Sequence, residues 1–241
     1  MKYFVFIALF LFIFISESVA NPTIAIATAD GPPLSKPDNT GFHDKIIHEA
    51  FARIGIDMEV IHLPAERALI NANMGVEEGV YVRIAGMEKL YPNLIRVPEK
   101  ITDYEFVAFS KKVNTATNRW EDLKPYDVGI ITGWKILEKN IQNTKTLLKV
   151  DNPEILFDIL DKERVDIIVY NRYDGYGVIK KLNLQGIKVL APPLTVREMF
   201  LYLHVKHKEL APKMATALRS IKTDGTYERL FDEIIEPLVP K

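Results

Sequence analysis

Arg83 closes a short apolar run, Gly79-Val80-Tyr81-Val82. Its guanidinium is a planar fork of donors that grips a carboxylate or phosphate through two parallel hydrogen bonds. The competing use is an internal ion pair with Glu78 or Glu88. Arg67 stands in the first turn of a segment opened by Pro64, either turned toward the same anion or solvated beside Glu66. Gly133-Trp134 opens another segment read as helical, and a helix start favours anions because its N–H groups are unpaired and carry a positive partial charge. The Trp134 ring adds a flat wall that stacks on an apolar or cationic group, or packs between elements. Asn171-Arg172 follows the apolar run 165–170; Asn171 brings an uncharged amide, and Arg172 either a second anion grip or an outward charge. Tyr81, Tyr104, Phe106, Tyr170, Tyr173 and Tyr176 supply aromatic surface, much of it for packing. If the strand holding Tyr81 alternates regularly, Tyr81 and Arg83 share one face and Val82 takes the other, which makes Tyr81 the preferred aromatic.

Other polar groups point to less. His43, Asp44, His48 and Glu49 crowd one segment, but a zinc site needs three or four convergent ligands, and these read as the polar face of an amphipathic helix. His204 and His207 fall on opposite faces of an expected strand. There is no cysteine, which excludes thiol catalysis, Cys-ligated metals and a lipid-anchored N-terminus of the lipobox type. No Gly-x-Ser-x-Gly, P-loop or Gly-x-Gly-x-x-Gly sequence occurs. Glu66, Glu78 and Glu105 are carboxylates without a paired acid–base motif. No catalytic residue, metal or cofactor is therefore assigned. The formal net charge of −1 gives no basic face for a nucleic acid.

The elements that position these residues follow from apolar periodicity and turn residues. Lys2, the apolar run Tyr3–Ile15 and small residues at Ser18 and Ala20 read as a secretory signal peptide over 1–20, cut after Ala20. The run is shorter than the roughly 20 residues of a membrane span, so an exported protein is expected, and no later segment is long and apolar enough to cross a bilayer. Thr23–Thr28 reads as a strand ended by Asp30-Gly31-Pro32-Pro33. Phe42, Ile46, Ile47, Ala50, Phe51 and Ile54 mark a helix stopped at Gly55. Met58–Leu63 reads as a strand, Pro64–Met74 as a helix closed by Gly75, Val80–Val82 as a strand, Ala85–Leu90 as a helix and Phe106–Phe109 as a strand. Beyond Trp120, strands at 127–132, 165–169, 187–190 and 199–203 alternate with helices starting at Gly133, Pro153, Gly175, Leu210 and Thr226. Such alternation predicts an α/β fold with mainly parallel sheets.

Several short motifs recur in an order that resembles the family 3 extracellular solute-binding proteins, the amino-acid receptors of ABC importers. Gly31-Pro32-Pro33 followed by Gly41-Phe42 resembles the family's opening turn and first helix. Gly75-Val76-Glu77-Glu78, Trp120-Glu121-Asp122-Leu123, Val128-Gly129-Ile130, Gly133 and Glu163-Arg164-Val165-Asp166 follow at similar spacing, and the likeness covers roughly residues 23–235. It implies a two-lobed, type II periplasmic-binding-protein fold. Each lobe is a mainly parallel sheet flanked by helices, with two hinge crossings near 105–112 and 192–204. Lobe 1 would comprise 21–107 plus 200–241, and lobe 2 residues 108–199. Ligands in open α/β sheets sit beyond the carboxyl ends of strands, so the loops after Thr28, Leu63, Val82, Thr132 and Val169 are the cleft candidates. The resemblance places Arg67, Tyr81, Arg83, Gly133, Trp134 and Asn171 toward a ligand. The family has an Asp where Asn171 stands, pairing with the ligand's α-ammonium group, and a Thr-x-x-Arg turn where this chain reads Ile84-Ala85-Gly86-Met87-Glu88-Lys89. The expected function is a periplasmic, monomeric receptor that captures a small polar, carboxylate-bearing solute and docks on an ABC permease or a membrane sensor. The alternatives are a ligand-free protein-contact domain and a dehydratase-like enzyme on the same fold.

Overall fold

The computed structural model describes residues 23–240, so the expected signal peptide and its cleavage site lie outside the described residues. In chain order the regular elements are β1 (Thr23–Thr28), α1 (Phe42–Ala52), β2 (Asp57–His62), α2 (Ala65–Met74), β3 (Gly79–Ile84), β4 (Leu94–Ser110), β5 (Asp127–Ile131), α3 (Lys135–Asn140), β6 (Thr146–Val150), α4 (Pro153–Asp161), β7 (Ile167–Asn171), α5 (Arg172–Lys181), β8 (Lys188–His204), α6 (Ala211–Thr223) and α7 (Thr226–Ile234).

The eight strands lie in the order β2-β1-β3-β8-β4-β7-β5-β6. Two parallel trios flank a central antiparallel pair: β1 pairs in parallel with β2 and β3, and β5 with β6 and β7. Between them run β4 and β8, 17 residues each, paired with one another along their length. β8 pairs with β3 through Met199–Leu203, and β4 with β7 through Phe106–Phe109. These long strands are the two crossings, and the architecture is the two-lobed α/β fold expected.

Sequence periodicity places the cores. Phe42, Ile46, Ile47, Ala50 and Phe51 of α1 are all 2% exposed or less, at the spacing of one helical face. Each large side chain buried in this way contributes about 1.5–3 kcal/mol. They join Ile24, Ile26, Met58 and Tyr81 on one face of the first trio, while Ala68, Leu69 and Ala72 of α2 join Ala27, Val80 and Tyr202 on the other. Gly75 ends α2 at φ 75°, the left-handed conformation that glycine adopts without penalty. In the second half Phe109, Leu156, Phe157, Leu160 and Ile168 are buried together.

Three local expectations are corrected. The Ala85–Leu90 segment forms only a 3-10 turn over Met87–Lys89. Residues 188–190 and 199–203 belong to one strand, which starts just after Ile187 and is interrupted in register near Pro192-Pro193 rather than ended there. The helix expected from Gly133 starts at Lys135 and is six residues long.

Candidate functional site

The parallel trios face each other across the crossing strands, so the loops after β1, β2, β3, β5 and β7 converge. The halves touch. A methyl group added to Gly177 on α5 would lie 2.5 Å from Pro33 Cδ in the turn before α1. Lys135 Nζ at the start of α3 is 3.7 Å from Glu66 Oε2 at the start of α2. A groove of about 700 Å³ between the halves is walled by Gly31, Pro33 and Lys45 on one side, Glu154, Tyr170 and Gly177 on the other, and Leu230 and Leu238 along it; Asp30, Arg83 and Trp134 do not line it.

Asp30, two residues past β1, organises the centre. Its Oδ1 accepts the Tyr104 hydroxyl at 2.6 Å, and its Oδ2 accepts His43 Nδ1 at 2.7 Å. The His43 and Tyr104 rings stack with centroids 5.8 Å apart. Asp174, in the first turn of α5, is 2% exposed, and its Oδ1 has no hydrogen-bond partner. Burial, helped by the charge of Asp30, raises its pKa well above the usual carboxylate range. Burial also raises the phenols of Tyr104 and Tyr170, again with Asp30 and Asp174 adding to it.

Arg83 reaches this centre from the end of β3. It does not pair with Glu78, which engages Lys206, nor with Glu88, which accepts from Tyr202. Its Nη2 lies 3.4 Å from the Ala65 carbonyl, and its Nε is buried without a partner. Burial lowers its pKa, opposed chiefly by Asp30. The expectation that Tyr81 shares its face is overturned by a β-bulge: Val80 pairs with Tyr202 and Arg83 with Phe200, three steps on β3 against two on β8. Val82 takes φ 57° there, a strained value for a β-branched residue. The extra residue sends Tyr81 and Val82 to the α1 side and Arg83 to the side of Val80 and α2.

The other expected site residues divide. Tyr81 is fully buried, and its hydroxyl donates to Asp44 Oδ1 at 2.6 Å. Asp44 also accepts from Ser35 Oγ and from the Lys36 and Gly41 N–H groups, so it staples the Pro32-Pro33 turn to α1. His43 and Asp44 are therefore buried connectors, not the solvated face expected of them. Gly133 donates its N–H to Glu138 Oε1 at 3.1 Å, so the chain itself fills the expected anion position. Trp134 is half-buried, stacks on Tyr170 at 4.8 Å and 12°, and meets Phe106 edge-on. Asn171 is fully buried. Its Oδ1 caps α5 through the N–H groups of Tyr173 and Asp174, and its Nδ2 has no partner. Arg67 is exposed on α2. Arg172 is locked to Glu105 at 2.6 Å. Nothing in the linear sequence distinguishes Asp30 or Asp174 from other acidic residues. The loop holding Asp30 was among the cleft candidates, and Asp174 lies one helical turn beyond Asn171.

No family model matches the chain. An uncharacterized protein of Shewanella oneidensis is 28% identical over 229 residues, covering 89% of this chain and 83% of that protein. Among solved structures, a histidine kinase sensor domain with similarity to periplasmic binding proteins superposes with a TM-score of 0.76 at 16% identity, over 90% of this chain and 97% of that one. The substrate-binding protein of an amino acid ABC transporter superposes with a TM-score of 0.70 at 20% identity, over 89% and 99%. The fold of this chain is theirs.

Proposed function

We propose that the chain is an exported solute receptor that takes an amino-acid-like, carboxylate-bearing solute into the cleft between its halves and closes on it. The observation that supports this reading is Arg83: a guanidinium with a buried, partnerless Nε, brought by a strained bulge to the point where the strand ends converge. A buried polar group without a hydrogen bond is costly, and backbone strain collects at ligand clamps. Trp134, Tyr170 and Phe106 pack together into an aromatic cluster in the second half. One solved neighbour is the substrate-binding protein of an amino acid ABC transporter and another a histidine kinase sensor domain, and the partner proposed here is correspondingly an ABC permease or a membrane sensor. Lobe 1 is taken as 21–107 plus 200–241, lobe 2 as 108–199. The protein acts as a monomer in the periplasm once residues 1–20 are removed, and it is not an enzyme. Among the described residues no helix is long and apolar enough to cross a membrane.

The test is a thermal-shift panel of amino acids, dicarboxylates, polyamines and short peptides. A solute that binds only the folded state raises the melting temperature by RT ln(1 + [L]/Kd) in free-energy terms. One chemical class is expected to do so, and Arg83→Ala is expected to abolish that shift while folding normally. Unchanged affinity in Arg83→Ala sinks the site, and a panel with no shift sinks the receptor reading.

A further inference from the structure

Beside the centre at Asp30 lies a separate cavity of about 160 Å³. It shares His43 and Tyr104 with that centre, but Arg83, Gly133, Trp134 and Asn171 do not line it. Its walls are aromatic: Phe42 of α1, Tyr104 of β4, Tyr173 of α5, and Tyr227 and Phe231 of α7. The rings brace one another edge to face. Phe42 meets Tyr227 at 5.2 Å and 77° and Phe231 at 5.8 Å and 81°, and Phe231 meets Tyr173 at 5.5 Å and 83°. Two carboxylates, Asp103 and Glu105, belong to the same lining, and no lysine or arginine does. Both act on the phenols there. Burial raises Tyr173, with Glu105 adding to it and Arg172 opposing. Burial raises Tyr227 as well, opposed by its hydrogen bond to Thr102, with Asp103 adding to the rise.

The polar groups around this cavity are already matched. Asp103 takes Lys100 Nζ on both oxygens, at 3.0 and 2.8 Å, and Glu105 Oε2 accepts from Arg172 Nε at 2.6 Å. The Tyr227 hydroxyl is 2.9 Å from Thr102 Oγ1, and the Tyr104 hydroxyl donates to Asp30. A metal ion or a primary ammonium entering here would exchange its water for few free acceptors, which is costly. A fully methylated ammonium has no N–H to satisfy. We propose that the cavity is a second binding site, apart from the cleft, for a small quaternary ammonium ion. Aromatic faces attract a cation whose charge is spread over methyl groups, and Asp103 and Glu105 supply a negative field without having to give up Lys100 and Arg172. At ~30 Å³ for each water in the liquid, the cavity has room for about five water-sized groups, as many as the nitrogen and methyls of tetramethylammonium. Tyr173 comes from the second half, and Phe42, Tyr227 and Phe231 from the first, so a bound ion touches both halves.

The probes are tetramethylammonium chloride and choline chloride. The controls are sodium and ammonium chloride at equal ionic strength, and the uncharged alcohol in which carbon replaces choline's nitrogen. Binding is read by thermal shift and by titration calorimetry. The two quaternary ions should bind saturably and raise the melting temperature, and the controls should not. Tyr173→Leu removes a ring and should weaken binding by roughly tenfold, while Tyr173→Phe keeps the ring and should bind as the parent does. Asp103→Asn changes a side chain 43% exposed, so it should melt with the parent and bind about 2- to 5-fold more weakly. Arg83→Ala, remote from this lining, should bind the quaternary ions unchanged. If the uncharged alcohol binds as well as choline, the cavity reads shape and not charge, and the assignment falls. If Arg83→Ala abolishes binding while Tyr173→Leu retains it, the ion sits in the cleft, and the assignment falls. If neither quaternary ion binds the parent, the second site falls, and the receptor reading is decided separately by its own solute panel.

Discussion

At the residue scale the cleft is a set of charges held in unequal ways. Asp30 is fully engaged by Tyr104 and His43, whereas Arg83 and Asp174 each keep a buried atom without a partner. Arg83 was legible in the sequence, since a charge directly after an apolar strand has few places to go. Asp30 and Asp174 were not, because burial is invisible in a linear pattern and both resemble ordinary turn and first-turn acids. The state of Asp174 has a consequence without any ligand. An unfolded chain releases this proton near pH ~4, while the folded group holds it to higher pH. Between those limits the native state binds one proton more than the unfolded state, so stability falls with rising pH by about 1.4 kcal/mol per unit from this group. Asp174→Asn has no proton to lose. Its stability relative to the parent should therefore grow as pH is raised above ~4, read from urea unfolding at successive pH values. A difference that does not change with pH would show that Asp174 is ionised in the fold.

At the element scale, the helices and the parallel trios were readable because their apolar faces are regular. The strands that escaped have physical reasons. β6 is an edge strand exposed over most of its length, so nothing forces an apolar alternation on it. β4 contains Pro98, which normally argues against a strand, but it falls in a register shift between Arg96 and Lys100. The bulge at Val82 left no sequence signal, since a valine there resembles any other strand residue. Two glycines on α5 separate core packing from contact between the halves. A Cβ on Gly175 would lie 2.2 Å from Phe109 Cζ, inside the second half, and one on Gly177 would meet Pro33 and Pro32 of the first half. Gly175→Ala should lower stability by about 1–3 kcal/mol, the usual cost of overpacking a core. Gly177→Ala should instead hold the halves apart. It is expected to keep the parent's melting temperature without ligand and to bind solute about 5- to 100-fold more weakly, since a closed state penalised by ~1–3 kcal/mol loses that much affinity. Equal loss of stability in both variants would mean that the halves do not separate.

At the scale of the whole molecule, the two-lobed plan was legible from the order of motifs, but the way the chain ends was not. Helices α6 and α7 pack with α1 against the first half, as Met214, Leu218 and Ile221 share a core with Ile46 and Phe51. The segment after them crosses over: Leu238 and Val239 pack on the core of the second half, alongside Ile179, Leu184 and Val189. The tail thus spans both halves, and it does so with apolar side chains. Elsewhere the halves meet where Gly177 abuts Pro33 and where Tyr173 of α5 packs edge-on against Phe231 of α7, and Lys135 pairs with Glu66 through two side chains each more than half exposed, a surface pair that contributes at most about 1 kcal/mol. The tail is therefore a stronger restraint on opening than that ion pair. Removing residues 236–241 should shift the ligand-free protein toward an open form, seen as a larger radius of gyration in solution scattering. Solute binding should weaken several-fold, because apparent affinity scales with the population competent to close. Saturating solute should restore the parent's compactness, since the cleft contacts remain. A shortened protein that scatters identically to the parent but melts lower would show that the tail only fills the second core and restrains nothing.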